Sequence, residues 1–134
     1  MTADELQAFL DQAFPAPLAG YVVERAGPWG ADLRLPVTDR HGRPGGTVSG
    51  PTLMALADCT AWLAVLAKIG PVALAVTTSL HIDFLRKPPI SDVRAHGRLL
   101  KLGSRLAVVD VELGSVDLDG PVAKAQVTYS IPPR

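Results

Sequence analysis

One carboxylate stands alone in the most apolar stretch of this chain. Between Thr47 and Ala67 the only side chains that ionise near neutral pH are Asp58 and, weakly, Cys59. The stretch GTVSGPTLMALADCTAWLAVLAK (46–68) reads as one helix from about Pro51 to about Lys68. A helix that is apolar on nearly every face is a buried one. An acid in its middle is costly unless it is paired, hydrogen-bonded or protonated. Eight residues earlier, at the helix entrance, stands Gly50. A helix N-terminus offers unpaired N–H groups and partial positive charge. Glycine there lets another molecule approach the backbone with no side chain in the way. Asp58 can attack an electrophile or serve as base for a water. The Gly50 amide can polarise a carbonyl, an interaction worth about 2.7–4 kcal/mol at a developing oxyanion. The plainer alternatives are an acid bonded to backbone, Thr60 or Ser49, and a simple helix start that Pro51 alone explains.

Other reactive types carry less. Trp62 lies one turn after Asp58 on the same face and reads as core or as a pocket wall. Cys59 points about 100° away from Asp58 around the helix and reads as an inert buried thiol. His41 falls in a loop and is expected to be solvated. His81 and His96 fall on strands, without metal-ligand spacing to other groups. No metal is expected.

The rest of the chain must surround the helix. Thr2 and Glu5 have capping-box spacing, followed by an apolar stripe of Leu6, Phe9, Leu10 and Ala13, so a first helix is expected until Pro15 and Pro17. Segments 20–26 and 31–38 flank a GPWG turn and form a hairpin, the second alternating apolar Ala31, Leu33, Leu35 and Val37 with Asp32, Arg34 and Pro36. Segment 39–46, DRHGRPGG, is a loop. Gly70 and Pro71 end the long helix. Strands follow over 75–86, 93–102, 106–116 and 121–131. In the first of these Val76, Thr78, Leu80, Ile82 and Phe84 share one face, and Thr77, Ser79, His81 and Asp83 the other.

The order is helix, two strands, long helix, four strands. The 134 residues make one domain, 1–134, of α+β class. A helix apolar all round needs a large curved sheet over it. A mostly antiparallel six-stranded sheet wrapped on a central helix is the hotdog fold. Its third strand is left polar-faced and open at an edge, and pairing with a second copy covers it. A homodimer, or a dimer of such dimers (a homotetramer), is therefore expected. Thirteen basic residues balance thirteen acidic ones, which gives no electrostatic case for nucleic acid or a membrane surface. The lone cysteine excludes an internal disulfide, the acidic N-terminal stretch is unlike a signal peptide, and the longest apolar run, within Ala61 to Ala67, is too short to span a bilayer. A cytoplasmic protein fits.

The pattern resembles the thioesterase branch of the hotdog superfamily, of phenylacetate-pathway (PaaI-like) and 4-hydroxybenzoyl-CoA type. The matching residues are Ser49-Gly50-Pro51 with Asp58, the strand TTSLHIDFLRKPP, the turn LLKLGSRLAVVDVEL and the ending PVAKAQVTYSI. The chain departs from the family at three positions. Ser49 replaces a histidine, Pro51 a second glycine, and Arg43 an Asn or Gln six residues before Ser49. Proline removes only the amide after that of Gly50.

The resemblance implies an acyl-CoA thioester hydrolase, with Asp58 as nucleophile or general base and the Gly50 amide on the thioester oxygen. Within one copy the two are more than two helical turns apart, and the resemblance implies that Asp58 of one copy meets Gly50 of the other across a two-fold axis. Ser49, Pro51, Trp62, Thr77 and Arg43 would line the substrate. Arg86, Lys87, Lys101 and Arg105, with Arg40 as a further candidate, would meet the phosphates of coenzyme A. No cofactor is implied beyond coenzyme A as part of the substrate. The apolar residues Leu53, Leu56, Trp62 and Leu63 suggest an aryl or medium-chain acyl group. Two other readings compete. One is a hotdog hydratase or dehydratase, although the histidine it needs about fourteen residues before the acid falls at Pro44, with His41 nearest. The other is a non-catalytic acyl-CoA-binding protein.

Overall fold

The structure, a computed structural model, describes residues 1–14 and 20–133. Helix α1 (Ala3–Ala13) begins at Thr2, whose side chain accepts from the Glu5 N–H while the Glu5 carboxylate accepts from the Thr2 N–H. Leu6 and Leu10 are fully buried, but Ala13 is exposed, and Phe14 makes the inward contact instead, edge-on to Trp62 at 5.5 Å. The expected stops at Pro15 and Pro17 lie outside the described residues.

Strands β1 (Val22–Gly27) and β2 (Gly30–Leu35) form the hairpin, turning at Pro28-Trp29. The 39–46 loop has more structure than expected. A 3-10 turn over Asp39–His41 leads into β3 (Gly42–Arg43), which pairs with β4 (Thr47–Val48). His41 is not merely solvated, because its ring nitrogen accepts from the Thr38 N–H at 2.9 Å. Helix α2 (Gly50–Ile69) follows, capped by Ser49 and ended by Gly70 at φ 93°. Strands β5 (Val76–Phe84), β6 (Val93–Leu102), β7 (Leu106–Ser115) and β8 (Ala123–Ser130) complete one six-stranded antiparallel sheet in the order β1-β2-β6-β7-β8-β5. This is the hotdog arrangement.

The sheet approaches α2 closely because small residues face each other. Ala57, Ala61 and Ala64 of the helix, and Ala31, Ala95, Gly97 and Ala107 of the sheet, are buried. Gly97 is the tightest point. A Cβ there would lie 2.8 Å from the Thr60 methyl and 3.2 Å from the Ala31 carbonyl. Gly97→Ala is expected to destabilise the fold by about 1–3 kcal/mol, the usual cost of overpacking, read from urea melts. Gly30, with φ 144°, is equally constrained, since a Cβ there would collide with the Gly97 carbonyl. Helix α2 is long and apolar enough to cross a membrane by composition, but most of it is buried inside this sheet.

The sheet has two outer strands. At the start of β1 the Gln7 side chain fills two edge hydrogen-bonding positions, donating to the Tyr21 carbonyl at 3.1 Å and accepting from the Val23 N–H at 2.8 Å. At the other rim β5 pairs, among the described residues, only with β8, and every residue along it is at least partly exposed. Val76 and Phe84, near its two ends, are more than half exposed. Such a long open strand invites pairing.

Candidate active site

Asp58 is half-buried, and its partners come from the sheet rather than from Thr60 or Ser49. Thr60 spends its hydroxyl on the Leu56 carbonyl, 2.7 Å away. Ser49 spends its own on the first turn of α2, accepting from the Thr52 N–H at 3.3 Å. The Asp58 carboxylate accepts instead from the Thr77 hydroxyl at 2.6 Å and the Tyr129 hydroxyl at 2.7 Å.

Thr77 reaches the helix because β5 is not regular. Its register with β8 slips between Thr77 and Ser79, so Thr77 opposes Tyr129 while Leu80 opposes Val127. The bulge turns Thr77 onto the inner face shared by Leu80, Ile82 and Phe84. Uninterrupted alternation had placed it on the outer face with His81. Tyr129 was not anticipated, since an inward tyrosine on a strand reads as ordinary core. Only its hydroxyl distinguishes it, and a buried phenol needs a partner.

These groups line a cavity of about 480 Å3. Cys59, Trp62, Phe14 and Tyr21 share the lining, and Trp62 also packs on Phe9 with ring centroids 5.8 Å apart. Cys59 therefore faces the cavity despite its angle on the helix. Burial, with the Asp58 charge beside it, pushes its thiol up to about 12, so it stays protonated and unreactive. Burial likewise raises the Tyr21 phenol to about 12, with smaller contributions from Cys59 and Asp58. It raises Tyr129 further still.

A second cavity, about 570 Å3, opens at the N-terminus of α2. Here Gly50 and Pro51 meet Arg43, Arg86 and Lys87. Among the first-turn positions, Thr52 is capped by Ser49 and Pro51 has no N–H. Among the described residues nothing accepts from the Gly50 amide. The Phe84 ring lies 3.4 Å from where a Cβ of residue 50 would stand, so glycine keeps this mouth open. Arg86 also donates to the Asp119 carbonyl, which ties its guanidinium to the β7–β8 turn. Lys101 and Arg105 are not part of this groove. They lie at the opposite end of the sheet, where Ile131 donates to the Arg105 carbonyl at 2.7 Å. His81 and His96 pair with Asp83 and Asp32 respectively, on the sheet's outer face.

One chain thus carries the acid and the amide in separate cavities. Asp58 is tied to the start of β5 through Thr77, and Gly50 to its end through Phe84.

Known proteins share this architecture. A crystal structure from Silicibacter sp. TM1040, described as a thioesterase candidate, is 46% identical over 98% of this chain and 92% of its own, with a TM-score of 0.89. A mutant of the phenylacetic acid degradation protein PaaI from Thermus thermophilus is 28% identical over 93% of this chain and 99% of its own, at a TM-score of 0.75. The zebra fish thioesterase superfamily member 2 shares the fold at 22% identity, covering 98% of this chain and 99% of its own, at a TM-score of 0.85. No functionally curated protein matches by sequence. The thioesterase superfamily model matches residues 45–120, a span that holds Gly50, Asp58, Thr77 and the whole of the open strand between the two cavities. With that match and the Silicibacter likeness, the chain belongs to the thioesterase superfamily.

Proposed function

We propose that this protein is an acyl-CoA thioesterase acting as a homodimer joined along β5. The observation that carries the reading is the placement of acid and amide at opposite ends of one edge strand. Antiparallel pairing of two β5 strands about a two-fold axis near His81 sets Leu80 against the partner's Ile82. It also brings the Thr77 end of one strand to the Phe84 end of the other. Asp58 then faces the partner's Gly50, and the apolar cavity of one protomer opens into the basic groove of the next. The homodimer is the smallest working unit, and a homotetramer is two such units.

In that composite site the acyl group, aryl or medium-chain, lies in the cavity walled by Trp62 and Phe14. The thioester oxygen accepts from the Gly50 amide, reinforced by the helix dipole. Arg43, Arg86 and Lys87 meet the phosphates of coenzyme A at the mouth. Ser49 and Pro51 shape the entrance, and Thr77 holds Asp58. Asp58 takes a proton from water as the water oxygen attacks the carbonyl carbon. The C–S bond then breaks, and the thiolate takes that proton. Direct attack by Asp58, giving a mixed anhydride that water cleaves, uses the same geometry. Either route needs no cofactor beyond coenzyme A itself and suits the cytoplasm, where acyl-CoA is made and used.

Purified protein is expected to release free thiol from at least one member of a panel of aryl- and medium-chain acyl-CoAs. Hydration of a 2-enoyl-CoA without thiol release would favour the dehydratase reading instead. Neither the Asp58 cavity nor the Gly50 groove includes a histidine among the described residues, which argues against that outcome. Binding of every acyl-CoA with no release would leave a carrier.

A further inference from the structure

We propose that Tyr129 is a positioning residue that, with Thr77, pins the Asp58 carboxylate by one oxygen and presents the other to the substrate. This rests on the thioesterase reading and names which atom of the acid reacts.

Both hydroxyls reach the same atom. Thr77 Oγ1 donates to Asp58 Oδ1 at 2.6 Å, and Tyr129 Oη to that same Oδ1 at 2.7 Å. An ionised carboxylate oxygen has about two lone-pair positions, so Oδ1 is saturated. Among the described residues no donor reaches Oδ2. Tyr129 Oη also lies 3.0 Å from the Asp58 backbone carbonyl, so its ring is fixed against the helix turn that carries the acid. An aspartate in mid-helix otherwise rotates about its last bond and presents either oxygen. Here two donors from neighbouring strands remove that choice.

The donors are built to stay donors. Thr77 and Tyr129 are register partners across β5 and β8, and the bulge after Thr77 aims it inward. Tyr129 is 4% exposed, and its burial holds the phenol protonated throughout the working pH range. It cannot act as a base there. Trp62, one turn after Asp58, has no hydroxyl to offer, so the strands supply what the helix lacks. A base with both oxygens free would attack from varying distances. One held by Oδ1 keeps Oδ2 in a single attack geometry, and small misplacements at this step are costly.

The test is Tyr129→Phe, which removes one oxygen and keeps the buried ring. We expect kcat to fall about 10–100-fold with KM changed by less than about twofold. Thr77→Val should act in the same direction from a more exposed position, and Thr77→Ser should restore activity. Crystal structures of wild type and Tyr129→Phe give a readout that needs no turnover. The wild-type carboxylate should hold one orientation, and the variant's should rotate or split. A wild type that hydrolyses no thioester would sink the enzyme reading, and the density alone would then decide the positioning claim. Unchanged kcat in a folded Tyr129→Phe, or an unaltered carboxylate orientation, overturns it.

Discussion

Asp58→Asn is expected to abolish thiol release, lowering kcat by about 100–10,000-fold, the range for losing a general base. The substitution is nearly isosteric. The amide oxygen can still accept from Thr77 and Tyr129, so the fold and the bonds at 2.6 and 2.7 Å survive with little change. The amide can neither accept water's proton nor attack as an anion. KM should hold within a few fold, because the acyl cavity and the basic groove are untouched. Stopped assays with a thiol reagent, beside thermal melts of both proteins, separate lost chemistry from lost folding. A variant that retains wild-type kcat removes Asp58 from the reaction.

Mixing two dead variants should restore activity. Gly50→Val places a branched side chain against the Phe84 ring, which stands 3.4 Å from the first added carbon, and fills the mouth where the carbonyl must sit. Alone, it should lose most activity, as should Asp58→Asn. In a dimer containing one of each, the site made from the intact Asp58 and the intact Gly50 is complete, while the other is doubly defective. Random re-pairing after co-refolding equal amounts gives about a quarter of wild-type activity in a two-fold dimer. If acid and amide of the same chain worked together, no mixture would exceed its components. The recovered fraction therefore reports directly on which copies share a site, and a β5 mutant that blocks pairing, such as Ile82→Lys, should abolish recovery.

Much of this was legible from residue order. The apolar run around Asp58 is so long that only a buried helix can hold it, and six strands follow from alternation and turn residues. Gly50-Pro51 marks the helix entrance by backbone chemistry alone, and the predicted bounds fall within a few residues of those observed. What escaped depends on one inserted residue or on tertiary proximity. A bulge has no strong local signature, and it reversed the face of Thr77. Tyr129 is separated from Asp58 by 71 positions, and nothing near it in sequence distinguishes a phenol that holds the acid from one that only packs. The basic residues divided similarly. Arg43, Arg86 and Lys87 converge because β3 and the end of β5 flank the start of α2, while Lys101 and Arg105, of equal appeal as turn residues, lie at the other end of the same protomer's sheet, the end where β5 begins. The β3–β4 ladder is two residues long on each side and is too short to show a period.

Gln7 gives the assembly a limit. Because its amide group behaves like a neighbouring strand toward Tyr21 and Val23, the β1 margin has no appetite for another chain there. A sheet with two hungry margins would add copies head to tail into filaments. In the proposed dimer, joining at β5 would use up one receptive side, and the outward margin is already met at Tyr21 and Val23. A single glutamine on a surface helix thus blunts the margin at which such a filament would grow.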